Sequence, residues 1–431
     1  MYSLGPSRPT VSPATWLEIF VSSPSQGFSV LVASDSLKES LTATDACEAM
    51  ARAVRHLLPN AIVNQVPLAD GGEGTLDVFL ATMPGLEVHF SAGVGAHPQQ
   101  SETTIRWALS RDRKLAVVEL AEAAGLESVP LELRDPRQTG TAAVGRTLEM
   151  ARSRLDRDSD NPAELVLTLG GSATVDGGLG AARALGILIE GPEGPPDRPL
   201  VGSDLAAVEQ VRIPKALLDD WRGIRLRIAC DVRNPLEGDD GAARVFGPQK
   251  GAGPSTVAEL EAGLVGWRKT MEKATGWKIG GSRTGAAGGV VVGLAGLLGD
   301  VGEWSSSGHS AGLISERLEG GFDLVANLTG LDSRVDEADV ILTSEGRLDA
   351  SSLMGKAIGG LLDRADKAEV PVIAVPGSVS SEQWPGRTRF AEIATLVDAV
   401  GREEAMKRPA LALEKAAKDA LVNWLAVNQP G

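Results

Sequence analysis

The stretch Asp70-Gly71-Gly72-Glu73-Gly74-Thr75 decides how the rest of the chain is read. It follows a β-type run, Ala61-Ile62-Val63-Asn64-Gln65-Val66, and precedes a run of helical character. Its three glycines free the backbone to bend and to approach a ligand closely. Two carboxylates in such a turn either favour a helix start or face a metal or a hydroxyl. Upstream, Phe28-Ser29-Val30-Leu31-Val32-Ala33 is also β-type and runs into the polar turn Ser34-Asp35-Ser36-Leu37-Lys38-Glu39-Ser40. Between the two runs, Ala46, Met50, Ala53, Val54 and Leu57 recur at helical spacing, with Thr42 or Thr44 as the cap and Pro59 at the close. Strand, polar turn, helix, strand, polar turn is the opening of a parallel α/β sheet. Ligands in such sheets bind outside the carboxyl ends of the strands, where both turns fall.

Further along, the pattern changes. Residues 86–90, 103–109 and 115–120 read as closely linked strands of a mixed sheet. A strand over 164–169 leads into Gly170-Gly171-Ser172-Ala173-Thr174-Val175-Asp176-Gly177-Gly178, and one over 224–229 ends in Cys230-Asp231. A long polar loop over 233–253 contains Phe246-Gly247-Pro248-Gln249-Lys250-Gly251, and its Pro/Gly/Asn punctuation predicts an ordered, functional loop. Past Gly285-Ala286-Ala287-Gly288-Gly289 the βα pattern returns. Val340-Ile341-Leu342-Thr343 precedes Ser344-Glu345-Gly346-Arg347-Leu348-Asp349, a helix begins near Lys356, and a last helix covers about 403–426. The expected architecture is α/β with two domains. Residues 28–72 and 286–428 form a parallel-sheet domain, 73–285 form an inserted mixed-sheet domain, and 1–27, rich in Ser and Pro, are a disordered extension.

Composition narrows the function classes. With 431 residues, 43% hydrophobic and 23% charged, the chain is that of a globular protein of two domains. Its net charge of −15 argues against nucleic acid or an anionic membrane as a partner. The apolar run over 286–298 is too short to span a bilayer. Cys47 and Cys230 form neither a disulfide framework nor a zinc spacing, which points to a reducing, cytoplasmic setting. Neither a P-loop nor a Rossmann fingerprint occurs. Gly308-His309-Ser310-Ala311-Gly312 fits the hydrolase G-x-S-x-G pattern but lacks the buried strand that pattern needs, so it reads as a decoy.

Residues 170–178 read as an anion cradle: successive amides, the hydroxyls of Ser172 and Thr174, and Asp176 as a metal candidate. Lys38, Lys250 and Lys356 are the lysines inside polar loops, suited to phosphate as point charges.

Taken together, Asp35-Ser36-Leu37-Lys38-Glu39-Ser40-Leu41, Asp70 to Thr75, Gly170 to Gly178, Ala229 to Asn234, Phe246 to Ala252, Gly285 to Gly289 and Glu345 to Asp349 closely resemble the bacterial-type glycerate kinase family. The resemblance implies a flavodoxin-like domain built from both chain ends, an inserted second domain and a cleft site. It also implies ATP, Mg²⁺ and glycerate as the molecules bound, with 2-phosphoglycerate as product. The alternatives are 3-phosphoglycerate, or a weakened glycerate or nucleotide sensor. A homodimer is left open.

Phosphoryl transfer needs carboxylates, amides and cations arranged around the transferring group. On that basis Asp176, Asp231 and Lys38 are the expected catalytic residues. The expected binding residues are Asp35, Ser36, Asp70, Gly71, Gly72, Glu73, Gly170, Gly171, Ser172, Thr174, Lys250, Gly288, Gly289, Glu345 and Arg347. Asp70, Glu73 and Asp349 are expected to hold the metal. The sequence departs from the family pattern in the turn Gln138-Thr139-Gly140-Thr141-Ala142-Ala143-Val144-Gly145, at Val175, Ser344 and Ala357, and in an apparent insertion over 300–316.

Overall fold

The computed structural model describes residues 27–37, 40–158, 160–191, 198–298, 312–353, 357–380 and 385–428. Lys38, Lys356, nearly all of the expected N-terminal extension and most of the 300–316 insertion, with its Ser310 motif, lie outside the described residues.

The chain divides into two compact units, Met1–Ala69 with Ala326–Gly431, and Asp70–Val325. The unit built from both chain ends carries a five-stranded, all-parallel sheet. Its spatial order is Glu392–Ile393, Val372–Ala374, Val340–Thr343, Ser29–Val32, Ile62–Gln65. Counted along the chain this is 2-1-3-4-5, the flavodoxin-like order. Ser29–Val32 and Val340–Thr343 are buried along their whole length, as central parallel strands covered on both faces must be. Ala43–Leu57 is the predicted first helix. The Thr42 side chain caps it by accepting from Asp45 N, and the expected face of Ala46, Met50, Ala53, Val54 and Leu57 is buried. The last helical stretch is broken into Arg402–Lys407 and Pro409–Val427. Pro409 has no N–H to continue the ladder, so it begins a new helix.

The second unit carries a six-stranded mixed sheet in the order Leu318–Glu319, Ile224–Ala229, Ala163–Thr168, Leu115–Glu119, Glu102–Ser110, Leu86–Val94. The first four strands are parallel and the last two join antiparallel. The predicted mixed sheet is therefore present, with a hairpin longer than its sequence signal. The 233–253 loop is ordered and folds into a short helix, Ala242–Phe246, and a turn of 3₁₀ helix, Pro248–Lys250.

One boundary differs from expectation by forty residues: the chain re-enters the first unit at Ala326, not at residue 286. Val290, Val291, Val292 and Leu294 are fully buried in the mixed-sheet core with Ile314 and Leu318. Leu318–Glu319 then pairs with Ile228–Ala229. The glycine cluster before this segment is packed loop, not linker, and a helix apolar on every side must be buried on every side.

Candidate active site

The four parallel strands of the mixed sheet end level with one another. Glu119 lies opposite Thr168, Thr168 opposite Ala229, and Ala229 opposite Glu319. Turns far apart in sequence therefore leave one edge of the sheet side by side. The Asp70 turn packs into this edge. Gly170 N donates to Gly71 O at 2.9 Å. A Cβ on Gly170 would lie 2.2 Å from Gly72 Cα, and one on Gly321 would lie 1.9 Å from Asp70 O. Backbones this close admit only glycine.

Asp231 leaves the end of the strand Ile224–Ala229. It is partly exposed. Its Oδ1 accepts from Gly321 N at 2.7 Å and its Oδ2 from Phe322 N at 3.2 Å, which caps the helix Gly321–Thr329. Burial, and then the neighbouring Asp70 charge, push its carboxyl up to about 7, against the two amides and Arg283. Arg283 donates through Nε to Cys230 O at 3.2 Å and holds φ +71°. Left-handed backbone is uncommon for a non-glycine residue and concentrates at functional sites. A Cβ placed on Gly320 would meet Asp323, Arg283 and Asp231 in turn, so these three side chains surround that glycine.

Asp176, one strand away, is placed differently. It is 0% exposed and accepts four hydrogen bonds, from Thr141 N, Thr141 Oγ1, Gly178 N and Gly180 N, at 2.8 to 3.1 Å. Burial raises its pKa while these bonds pull it down. Both Thr139 and Thr141 brace this loop, Thr139 Oγ1 donating to Ala173 O at 2.9 Å. The departing turn 138–145 is thus the support of the cradle.

Lys250, expected to meet phosphate, is 3% exposed. Its Nζ donates to Ser172 Oγ at 2.7 Å and Thr174 O at 2.8 Å. Burial brings its ammonium down to about 7, opposed by the Asp176 charge. Thr174 is fully buried, while Gly171 is exposed. Gly288 and Gly289 are buried too. Gly177 N donates to Gly288 O, and Gly289 N donates to Ala286 O. Gly288 also packs closely on the 170–178 loop, where an added Cβ would lie 2.1 Å from Thr174 O.

In the parallel-sheet unit the strand order reverses between Ser29–Val32 and Val340–Thr343, so their carboxyl ends form the switch point where such sheets bind ligands. Asp35 and Ser36 follow the first strand, and Ser344 and Glu345 follow the second. Asp35 N donates to Ser344 O at 3.1 Å, Ser36 N to Asp35 Oδ1 at 2.6 Å, and Ser344 Oγ to Val375 O at 2.7 Å. Arg347 is exposed and Asp349 half-buried on the same following segment.

Asp70, Gly71, Gly72, Glu73, Gly170, Gly171, Ser172 and Asp231 are thus brought together on one unit, and Asp35, Ser36, Glu345 and Arg347 on the other. Among the described residues no group of three or more His, Cys, Asp or Glu side chains is arranged to hold a metal. Of the three expected metal holders, Asp70 and Glu73 lie on the mixed-sheet unit and Asp349 on the parallel-sheet unit. Two residues were missed in sequence. Glu119 is a buried carboxylate, pushed up to about 7 by burial, that accepts from Gly74 N and Leu76 N. Arg283 carried one signal, its place in Ser282-Arg283-Thr284 directly before a glycine cluster. No helix among the described residues is long and apolar enough to cross a membrane.

The profile of the glycerate kinase family matches residues 30–425. The chain is 33% identical over 398 residues to a glycerate kinase of Halalkalibacterium halodurans, covering 91% of this chain and 97% of that one. It is 34% identical over 354 residues to glycerate 2-kinase of Escherichia coli K12, covering 82% and 86%. A Haemophilus influenzae glycerate kinase is 36% identical over 358 residues, covering 82% and 86%. The fold superposes on a crystal structure from Salmonella typhimurium LT2, proposed to be glycerate kinase 2. The TM-score is 0.75 at 27% identity, over 94% of this chain and all of that one.

Proposed function

The chain belongs to the glycerate kinase family, and from that premise we propose that this kinase transfers the γ-phosphoryl group of ATP to the 2-hydroxyl of glycerate. The observation that carries the assignment of residues is Asp231. Its carboxylate keeps oxygen lone pairs beyond those taken by Gly321 N and Phe322 N, and it lies beside both Asp70 and Arg283. As the glycerate hydroxyl oxygen bonds to the γ-phosphorus, the bond from phosphorus to the bridging oxygen breaks. ADP leaves with that electron pair, and the hydroxyl proton passes to Asp231. A general base works best with a proton affinity near the operating pH, and burial supplies that shift here.

Arg283 orients the glycerate carboxylate through the fork geometry of its guanidinium. Gly72 and Gly171 let the backbone come close to phosphate oxygens. Asp35, Ser36, Glu345 and Arg347 follow the strands at the switch point of the parallel sheet, the place where such sheets bind ligands. Asp176 and Lys250 shape the 170–178 loop from within it. Magnesium takes one or two carboxylates beside substrate phosphates. The all-oxygen pair Asp70 and Glu73 fits that demand, so these residues would hold the ion, which would neutralise charge on the phosphates.

The test is a coupled assay of ADP release with D-glycerate, ATP and Mg²⁺, the product identified by ³¹P NMR. ADP and 2-phosphoglycerate in equal amounts are expected. 3-Phosphoglycerate would overturn the regiochemistry, and absence of turnover would overturn the activity.

A further inference from the structure

Glu119 ends the strand Leu115–Glu119 and is 3% exposed. Its Oε1 accepts from Gly74 N at 3.0 Å and its Oε2 from Leu76 N at 2.8 Å. These amides flank Thr75, the first residue of the helix Thr75–Thr82, whose own cap residue, Gly74, has no side chain to offer. The helix is therefore capped from a different strand. At the other end of the turn, Asp70 Oδ1 accepts from Gly72 N at 3.1 Å, and Thr75 Oγ1 donates to Gly72 O at 2.7 Å. The turn is tied at both ends, by Asp70 itself at one and by Glu119 at the other, with Glu73 between them.

This is a costly way to cap a helix. Gly74 holds φ +85°, a backbone that capping serine or threonine rarely adopts, so the cap comes from a distance, and a buried carboxylate with only neutral amides as partners is expensive to desolvate. Its charged neighbours make matters worse. Asp77 on the capped helix and Glu122 after the strand both repel it, and Arg106, on the next strand, is bonded to those two acids, its Nη1 to Asp77 at 2.9 Å and its Nε to Glu122 at 3.0 Å. A local rule broken without a local gain marks a position under functional demand.

We propose that Glu119 is a positioning residue for phosphoryl transfer. It holds the Asp70–Glu73 turn against the strand ends so that Asp70 stands in its working place, without touching substrate. The inference rests on the role assigned above to Asp70.

Steady-state kinetics of the full chain test it, with Glu119→Gln, Asp70→Asn and the double variant. Glu119→Gln is expected to lower kcat about tenfold or more, as small misplacements of reacting groups do. Both KM values should stay within about threefold, since ground-state binding is not what Glu119 serves. In the Asp70→Asn background the same change should cost less than about twofold, the coupling expected of residues acting through one another. Full multiplication of the two effects, or a rise in KM at constant kcat, would overturn the proposal. Wild-type kcat in Glu119→Gln alongside a crippled Asp70→Asn would overturn it while leaving the Asp70 reading intact. Wild-type turnover by Asp70→Asn would overturn that reading itself.

Should Glu119→Gln not fold, Gly74→Ala carries the test. Gly74 holds φ +85° and an added Cβ meets nothing within 4 Å, so the change strains only the backbone of the turn. A loss confined to kcat is expected there, and an unchanged kcat would overturn the proposal.

Discussion

Asp176 and Asp231 follow neighbouring strands of one sheet, and both fall in the turns that leave those strands. Their surroundings are opposite. Asp176 is sealed, with four donors from its own and the adjoining loop. Asp231 accepts two amides and keeps an open side facing Asp70 and Arg283. In the proposal above, the first carboxylate shapes a loop and the second takes the proton. What separates them is the set of amides that the fold aims at each: the 170–178 loop curls back on its own aspartate, while the Asp231 carboxylate accepts from the first amides of a helix.

The contrast breaks most readily at Asp231. Asp231→Asn should lower the kcat of the folded fraction by about 10²–10⁴-fold, the usual contribution of a general base, beside a stability loss from the amide left facing Gly321 N or Phe322 N. Next comes Arg283→Ala, which should raise KM for glycerate about tenfold or more, since a hydrogen bond to a charged group is worth about 1.5–3 kcal/mol. A KM rise for ATP alone would reassign that guanidinium. Asp176→Asn should act on the other axis. Replacing an acceptor oxygen by an NH₂ group opposite backbone donors costs about 1–3 kcal/mol of stability. It should appear as a lower urea midpoint at constant m-value, with kcat of the folded fraction near wild type.

A further effect is a pH gradient at Lys250. Its folded pKa of about 7 lies below the ordinary 10.5. Between those values the unfolded chain binds more protons, so this residue makes stability rise with pH across that window. Lys250→Met removes the titration. The stability of the wild type relative to the variant should therefore grow between pH 7 and 10 in urea titrations. A difference that is constant or shrinks with pH would mean the ammonium stays charged throughout.

Much of the fold was legible in the sequence because local signals agreed with it. The first helix showed its cap and its buried face, and the strand-turn order announced the parallel sheet. What escaped were properties made by packing. Residues 286–325 carry no linker chemistry, and only the need to bury Val290 to Leu294 assigns them to the mixed-sheet unit. Lys250 reads as a phosphate cation in a polar loop, yet Ser172 and Thr174 enclose it. Gly288 and Gly289 read as donors, yet they form the surface that lets two loops touch. Glu119 is invisible in sequence because its partners, Gly74 and Leu76, are more than forty residues away. The acidic turns were found; which donors each acid meets is decided by packing, through Thr141 at Asp176 and through Gly321 and Phe322 at Asp231.

The most direct test of that distinction is the single-turnover rate of phosphoryl transfer, measured by rapid quench with ATP and glycerate saturating. This isolates chemistry from product release. The account predicts transfer slowed by about a hundredfold or more in Asp231→Asn, as loss of a base requires, and transfer at the wild-type rate in folded Asp176→Asn. Wild-type transfer in Asp231→Asn, or the slow step appearing in Asp176→Asn instead, would contradict it.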